Sequence, residues 1–279
     1  MNYSTSHPRV LTTREIQDCS LEVMKFVDSF CRENSIKYCL AGGSLIGAIR
    51  HHGFIPWDDD LDIQLSRIEY NKLIHSFRDD SGRYKCFAPE LGNSFLPFAR
   101  ICDMQKTIAI PYCPWCKETT GIFIDICAED GVPDSLELHS RKVKELRKQI
   151  GTLYQVRGAS LGFSSELGFS RSIKLLGKKV LFGRYNLYDL LNNISCGFTE
   201  ENYMKANYVG VMQNPMYGIR EHHRKEIFET YIDVPFEDTS FMVVSEYDEL
   251  LRNIFGDYMK LPPEEKRVPG HSEQYFIWR

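Results

Sequence analysis

The chain has 279 residues, room for one large domain or two small ones. Its 43% apolar and 13% aromatic content can bury a sizeable core, which excludes a disordered tail and a disulfide-stapled miniprotein. With 38 acidic against 34 basic residues the formal charge is −4, so no nucleic-acid partner is expected and any affinity for anions must be local.

A first helix is predicted over residues 13–34. Thr12 and Glu15 have capping-box spacing, and Ile16, Cys19, Val23, Val27 and Phe30 recur at helical intervals. Residues 36–41 read as a buried strand, Gly42-Gly43-Ser44 as a turn, and 45–51 as a short helix. Leu61, Ile63 and Leu65 alternate with Asp60, Asp62 and Gln64, the period of a strand with one face in the core. Further strands are expected over 83–88, 95–102 and 121–127. After Pro133 the pattern turns helical, with Val143, Leu146, Ile150 and Leu153 on one face of a helix starting near Ser135. The expected fold class is α+β: a mixed sheet flanked by helices in residues 1–134, and a mostly helical region over 135–279 that completes the site and packs with the core as one unit.

No stretch reaches the roughly 20 apolar residues that cross a bilayer, and residues 1–8 lack the apolar core of a signal peptide, so a cytoplasmic location is expected. Nine cysteines without framework spacing suit a reducing compartment, and disulfides are not expected. Charge is uneven. Residues 1–140 carry 14 basic and 20 acidic side chains, 141–184 carry 11 and 2, and 185–279 carry 9 and 16. The middle is a basic island. With Leu175, Leu176, Val180, Leu181 and Phe182 among its lysines, residues 142–184 have the composition of a peripheral contact with an anionic membrane or a phosphate-rich polymer, or of a solvated helical face packed on the body.

The strongest chemical signal is Pro56-Trp57-Asp58-Asp59-Asp60-Leu61-Asp62-Ile63. Four carboxylates within five residues, with no Lys or Arg between them, repel one another unless a cation or solvent intervenes. On a strand, Asp60 and Asp62 would project from one face, roughly 7 Å apart at Cα. Such a pair suits Mg²⁺ or Mn²⁺, which combine one or two carboxylates with substrate phosphate oxygens. Asp125, a lone acid in the apolar run Gly121-Ile122-Phe123-Ile124-Asp125-Ile126, offers a third carboxylate. A buried charge there needs a metal or a basic partner. The glycine pair before Ser44 lets backbone N–H groups approach phosphate, and the helix that follows adds its positive end. Alone, each feature is commonly an ordinary turn or a solvated loop tip. Their order along the chain favours the metal and phosphate reading.

The stretch from Tyr38 to Asp62, through Gly42-Gly43-Ser44 and Ile55-Pro56-Trp57-Asp58-Asp59-Asp60-Leu61-Asp62, resembles the LicD family of bacterial phosphotransferases. The resemblance continues through Arg100, Thr107, Phe123 to Ile126 and Asp130. It ends at Phe255-Gly256-Asp257-Tyr258 through Arg267 and His271, and it is weakest over 155–200. Ser245 stands where the family pattern has proline. The resemblance implies a nucleotidyltransferase-like fold. It also implies metal-dependent transfer of phosphocholine, or a similar phospho-alcohol, from a CDP-linked donor such as CDP-choline to a hydroxyl of a cell-surface glycan, free or lipid-linked. The catalytic and metal-binding acids then map onto Asp60, Asp62 and Asp125. Asp58, Asp125 or Asp130 stands as acceptor of the hydroxyl proton. Gly42, Gly43, Ser44, Arg50, His51, Trp57, Asp58, Arg100, Asp130 and His271 are the expected substrate-binding residues. Such an enzyme would work in the cytoplasm, at the inner face of the membrane. The alternative is a nucleotidyltransferase that moves NMP from an NTP and releases pyrophosphate. Cys113 and Cys116 have the spacing of half a zinc site, although no second pair completes it.

Overall fold

The structure, a computed structural model, describes residues 9–110, 119–159, 169–268 and 275–279, with side chains of 169–172 left aside. His271, Cys113 and Cys116 lie outside the described residues.

The first helix, α1 (Thr13–Glu33), begins as its sequence requires. Thr12 Oγ1 accepts the Glu15 N–H, and the Glu15 carboxylate accepts the Thr12 N–H at 2.9 Å. After it come β1 (Cys39–Leu40), α2 (Gly42–His51), β2 (Asp62–Ser66), α3 (Arg67–Ser76), β3 (Tyr84–Phe87), β4 (Ala99–Asp103), β5 (Thr107–Ile110) and the ten-residue β6 (Phe123–Val132). Four helices follow: α4 (Leu136–Ala159), α5 (Phe169–Phe182), α6 (Leu187–Ser195) and α7 (Glu200–Lys205). The chain then returns to strands in β7 (Tyr208–Val211), β8 (His223–Arg224), β9 (Tyr231–Phe236) and β10 (Thr239–Val244), before α8 (Tyr247–Phe255) and β11 (Tyr275–Trp278). The expectation of a mostly helical second half is therefore corrected beyond Lys205. These strands are two to six residues long and bounded by turns, so helical periodicity and strand alternation have little length in which to differ.

The sheet is mixed, with β1-β2-β6-β4-β3 in order and β7 and β8 joined to it through β6. Strand β6 organises it. One edge runs parallel to β2 from Asp125 to Glu129, while the other edge holds β4 beside residues 123–126 and then β7 beside residues 129–132. Residues from beyond Val132 thus complete the same sheet that the first half begins. Helix α1 covers β4 and β6 with Ile16, Cys19, Val23, Met24 and Val27, all buried, as its apolar stripe dictates. The β9–β10 hairpin is tied to the core through Tyr38, whose hydroxyl donates to Asp28 at 2.6 Å and accepts the Met242 N–H at 3.2 Å. Ser245 donates its N–H to the Thr230 carbonyl at 2.9 Å, a bond proline could not make. No helix among the described residues is long and apolar enough to cross a membrane.

Two local readings change. The Gly42-Gly43-Ser44 segment is the first turn of α2, not a separate turn, with Gly42 at φ +52° making the break from β1. Strand β2 starts at Asp62, so Asp60 lies in the preceding loop and does not share a strand face with Asp62.

Candidate active site

Three strands bring three charges into one row. In the parallel pairing of β2 with β6, Asp62 lies opposite Asp125, and in the antiparallel pairing of β4 with β6, Asp125 lies opposite Arg100. Neighbouring strands are about 4.8 Å apart, so the side chains meet wherever they leave the same face. Arg100 forks onto Asp125, Nε to Oδ1 at 2.5 Å and Nη2 to Oδ2 at 2.9 Å, with its guanidinium carbon 3.3 Å from the centre of the Phe123 ring. Asp125 therefore has the basic partner that its apolar surroundings require. Each of its oxygens accepts one N–H of Arg100.

The carboxylates that do converge are Asp58, Asp59 and Asp60, each offering an oxygen within 4.8 Å of the others. Asp62 borders them. Burial first, then the charges of Asp60, Asp125 and Asp58, push its carboxyl well above the ordinary range, against the opposing pull of Arg100. The Asp58, Asp59 and Asp60 oxygens, with Asp62 beside them, make a donor set of hard oxygens that fits a divalent cation.

The start of α2 closes one side. Ser44 Oγ accepts the Asp62 N–H at 2.8 Å, and Ala41 donates to the Asp62 carbonyl at 2.9 Å, locking the helix start to the strand. No side chain caps α2. A side chain at Gly43 would collide with the Asp58 carboxylate, so the glycine gives room to an acid as well as to any approaching ligand. The loop itself is fixed from behind by Gln17 on α1, whose amide donates to the carbonyls of Asp58 at 2.8 Å and Ile55 at 3.4 Å. The hairpin tip helps. Glu237 donates its N–H to the His52 carbonyl at 2.8 Å, and its carboxylate accepts the Phe54 N–H at 3.3 Å.

The other expected site residues divide by their partners. Arg50 donates to the Tyr258 carbonyl at 2.6 Å, bracing the start of the Phe255 to Arg267 segment against α2. Trp57 is half-buried with the Arg267 guanidinium 5.7 Å from its ring centre, so the two ends of the chain's motif pattern meet beside the acids. Burial and the charge of Arg50 lower the His51 pKa. Asp130 is corrected. It sits 2% exposed with both oxygens on Arg67, at 2.7 and 2.9 Å, in the core and not at the acidic loop. Glu90 joins that buried pair, accepting from Arg67, Tyr70 and Gln213.

Two residues of the site were not foreseen. Gln17 falls inside the apolar stripe of α1, and a polar side chain in such a stripe is the available signal, because burial obliges it to find a partner. Tyr217 gives no signal in the sequence. The turn after β7 carries it to the start of α2, where its hydroxyl stands 3.6 Å from the place a Gly42 Cβ would occupy, and Asp62 Oδ2 stands 3.9 Å from the same point. Its ring rests edge-on against Phe255 at 4.9 Å, while burial and then Asp62 raise its pKa.

Against known proteins, the family model described as LicD/FKTN/FKRP, nucleotidyltransferase domain, matches residues 35–92, which hold β1, α2, the acidic loop, β2 and α3. The chain is 30% identical to a lipopolysaccharide cholinephosphotransferase LicD of Haemophilus influenzae over 275 residues, 96% of this chain and 98% of that one. An uncharacterized protein of Rickettsia typhi is 37% identical over 67 residues, 23% of this chain and 22% of its own length. Another, of Rickettsia prowazekii, is 50% identical over 42 residues, 15% and 16% of the two chains.

Proposed function

The chain belongs to the LicD family and is a LicD-type phosphotransferase; from that premise we propose that it moves phosphocholine from CDP-choline to a hydroxyl of lipopolysaccharide, with a divalent cation at the acidic loop. The observation that carries the reading is the meeting of the Asp58, Asp59 and Asp60 carboxylates beside Asp62 and the uncapped start of α2. We read the mixed sheet, with its acids at the start of β2 and on β6, as nucleotidyltransferase-like.

In this mechanism Asp58, Asp59, Asp60 and Asp62 would hold Mg²⁺ or Mn²⁺, which would supply positive charge against the donor diphosphate and the departing CMP. The first N–H groups of α2 face the same phosphates, as an uncapped helix start favours. The Asp125 carboxylate keeps Arg100 in one orientation, its guanidinium on the Phe123 face, at the border of the site. The acceptor oxygen forms its bond to the phosphorus that carries choline, and the bond from that phosphorus to the bridging oxygen breaks. CMP leaves with the electron pair, and the hydroxyl proton passes to a carboxylate of the cluster. Gln17 holds the backbone that carries those carboxylates, and Tyr217 closes the side above Gly42.

The test is product analysis with Mg²⁺ or Mn²⁺, lipopolysaccharide, and CDP-choline, CDP-ethanolamine, CDP-ribitol or CDP-glycerol in turn. Acceptor-dependent CMP release from CDP-choline, abolished by EDTA, is expected. Pyrophosphate release from CTP without CMP release from any CDP-alcohol would replace this reading with nucleotidyl transfer.

A further inference from the structure

Helix α5 wears its apolar residues on the outside. Ile173 is 54% exposed, Leu176 55%, Val180 76% and Leu181 65%, while Leu175, turned the other way, is buried. Ile173, Leu176 and Val180 stand at i, i+3 and i+7, one stripe along a helix of 14 residues, about 21 Å long. Singly exposed apolar residues are ordinary, but a stripe of them on one helix needs an occupant.

The charge around the stripe identifies that occupant. Residues 169–184 contain Arg171, Lys174, Lys178, Lys179 and Arg184 and no acid, in a chain whose net charge is −4. At physiological salt, charges beyond about 10 Å are screened, so this local patch decides what approaches. A second copy placed stripe to stripe would set five basic residues against five. An anionic bilayer takes the apolar stripe into its acyl boundary and the flanking cations among its headgroups. We propose that α5 docks the protein on anionic lipid bilayers, lying in the plane of the surface. The docking itself does not depend on the reaction proposed above.

Co-sedimentation of the full chain with vesicles tests this, comparing pure phosphatidylcholine with the same lipid containing phosphatidylglycerol. The parent protein should bind the anionic vesicles about tenfold or more tightly, with the difference collapsing at high salt. Val180→Asp and Leu176→Asp should each weaken binding about tenfold, and Lys174→Glu with Arg184→Glu should remove the preference for anionic lipid. Because Val180 is largely exposed, its aspartate variant should keep the parent circular dichroism and Tm. Failure of the parent to bind, equal binding to both vesicles, or undiminished binding by a folded Val180→Asp variant would overturn the proposal. So would a parent dimer that Val180→Asp converts to monomer, since the stripe would then be a self-interface.

Discussion

Asp62 and Asp125 lie directly opposite each other on adjacent parallel strands, yet only Asp125 has an arginine on its oxygens. The register makes two neighbouring acids unequal. One is balanced by Arg100, and the other lies buried within reach of the Asp60, Asp125 and Asp58 charges. Mg²⁺ should raise the Tm of the parent, and Asp62→Asn and Asp60→Ala should remove that rise and lower turnover about a hundredfold or more without loss of fold. Turnover within twofold of the parent in both variants would contradict the assignment of these acids.

Arg100→Lys keeps a positive charge but loses the fork. It should leave Asp125 singly bonded and lower turnover, with partial recovery in Arg100→Lys combined with Asp125→Asn if the pair is mainly structural. A cycle of the two single changes and the double change, measured by CMP release and by Tm, separates the two contributions.

Gln17 reaches the site only through backbone, donating to the carbonyls of Asp58 and Ile55. Gln17→Leu should cost about 1–3 kcal/mol, since the Asp58 carbonyl loses the Gln17 amide while the Ile55 carbonyl keeps only the Asp58 N–H, and should weaken Mg²⁺ binding by loosening the loop that presents the acids. Thermal melts with and without Mg²⁺ read both effects. An unchanged Mg²⁺-dependent shift in Tm would confine Gln17 to stability.

Arg67 and Asp130 form a two-bond ion pair with 1% and 2% of their side chains exposed. Arg67→Met strands a buried carboxylate and should destabilise the fold by about 3–5 kcal/mol, whereas Arg67→Met together with Asp130→Leu should recover part of that loss. Urea unfolding of the three proteins checks the order.

His223 is 1% exposed, and neither ring nitrogen has a hydrogen-bond partner. Burial first, then His222, pulls its pKa from 6.5 down to about 4. The unfolded chain therefore takes up a proton as pH falls below 6.5 while the folded protein does not, so stability is fully present above 6.5 and is lost progressively toward pH 4. The loss from this group amounts to about 3 kcal/mol at its limit. Replacing His223 with Leu should flatten the fall in Tm between pH 7 and pH 5 relative to the parent. Parallel curves for the two proteins would assign the acid sensitivity to other groups.

The sequence by itself determined the parts whose causes are local. The capping box and apolar stripe of α1, the buried face of Leu61, Ile63 and Leu65, and the face of α4 built from Val143, Leu146, Ile150 and Leu153 follow from spacing, because burial selects residues at the period of the element. The acidic run and the glycine pair were legible as a possible cation and phosphate site for the same reason: like charges without counter-ions in the sequence imply one from elsewhere. Only the tertiary structure decided the partners. Arg100 could have met any acid, and strand register gave it Asp125. Asp130 looked available, and a buried Arg67 removed it to the core. Tyr217 entered the site through a turn after β7, while the short strands beyond Lys205 took their places through pairing with chain segments far from them in sequence. Periodicity records how much of a residue is buried, but the identity of its neighbour depends on contacts between distant segments, and those exist only once the sheet has closed around β6.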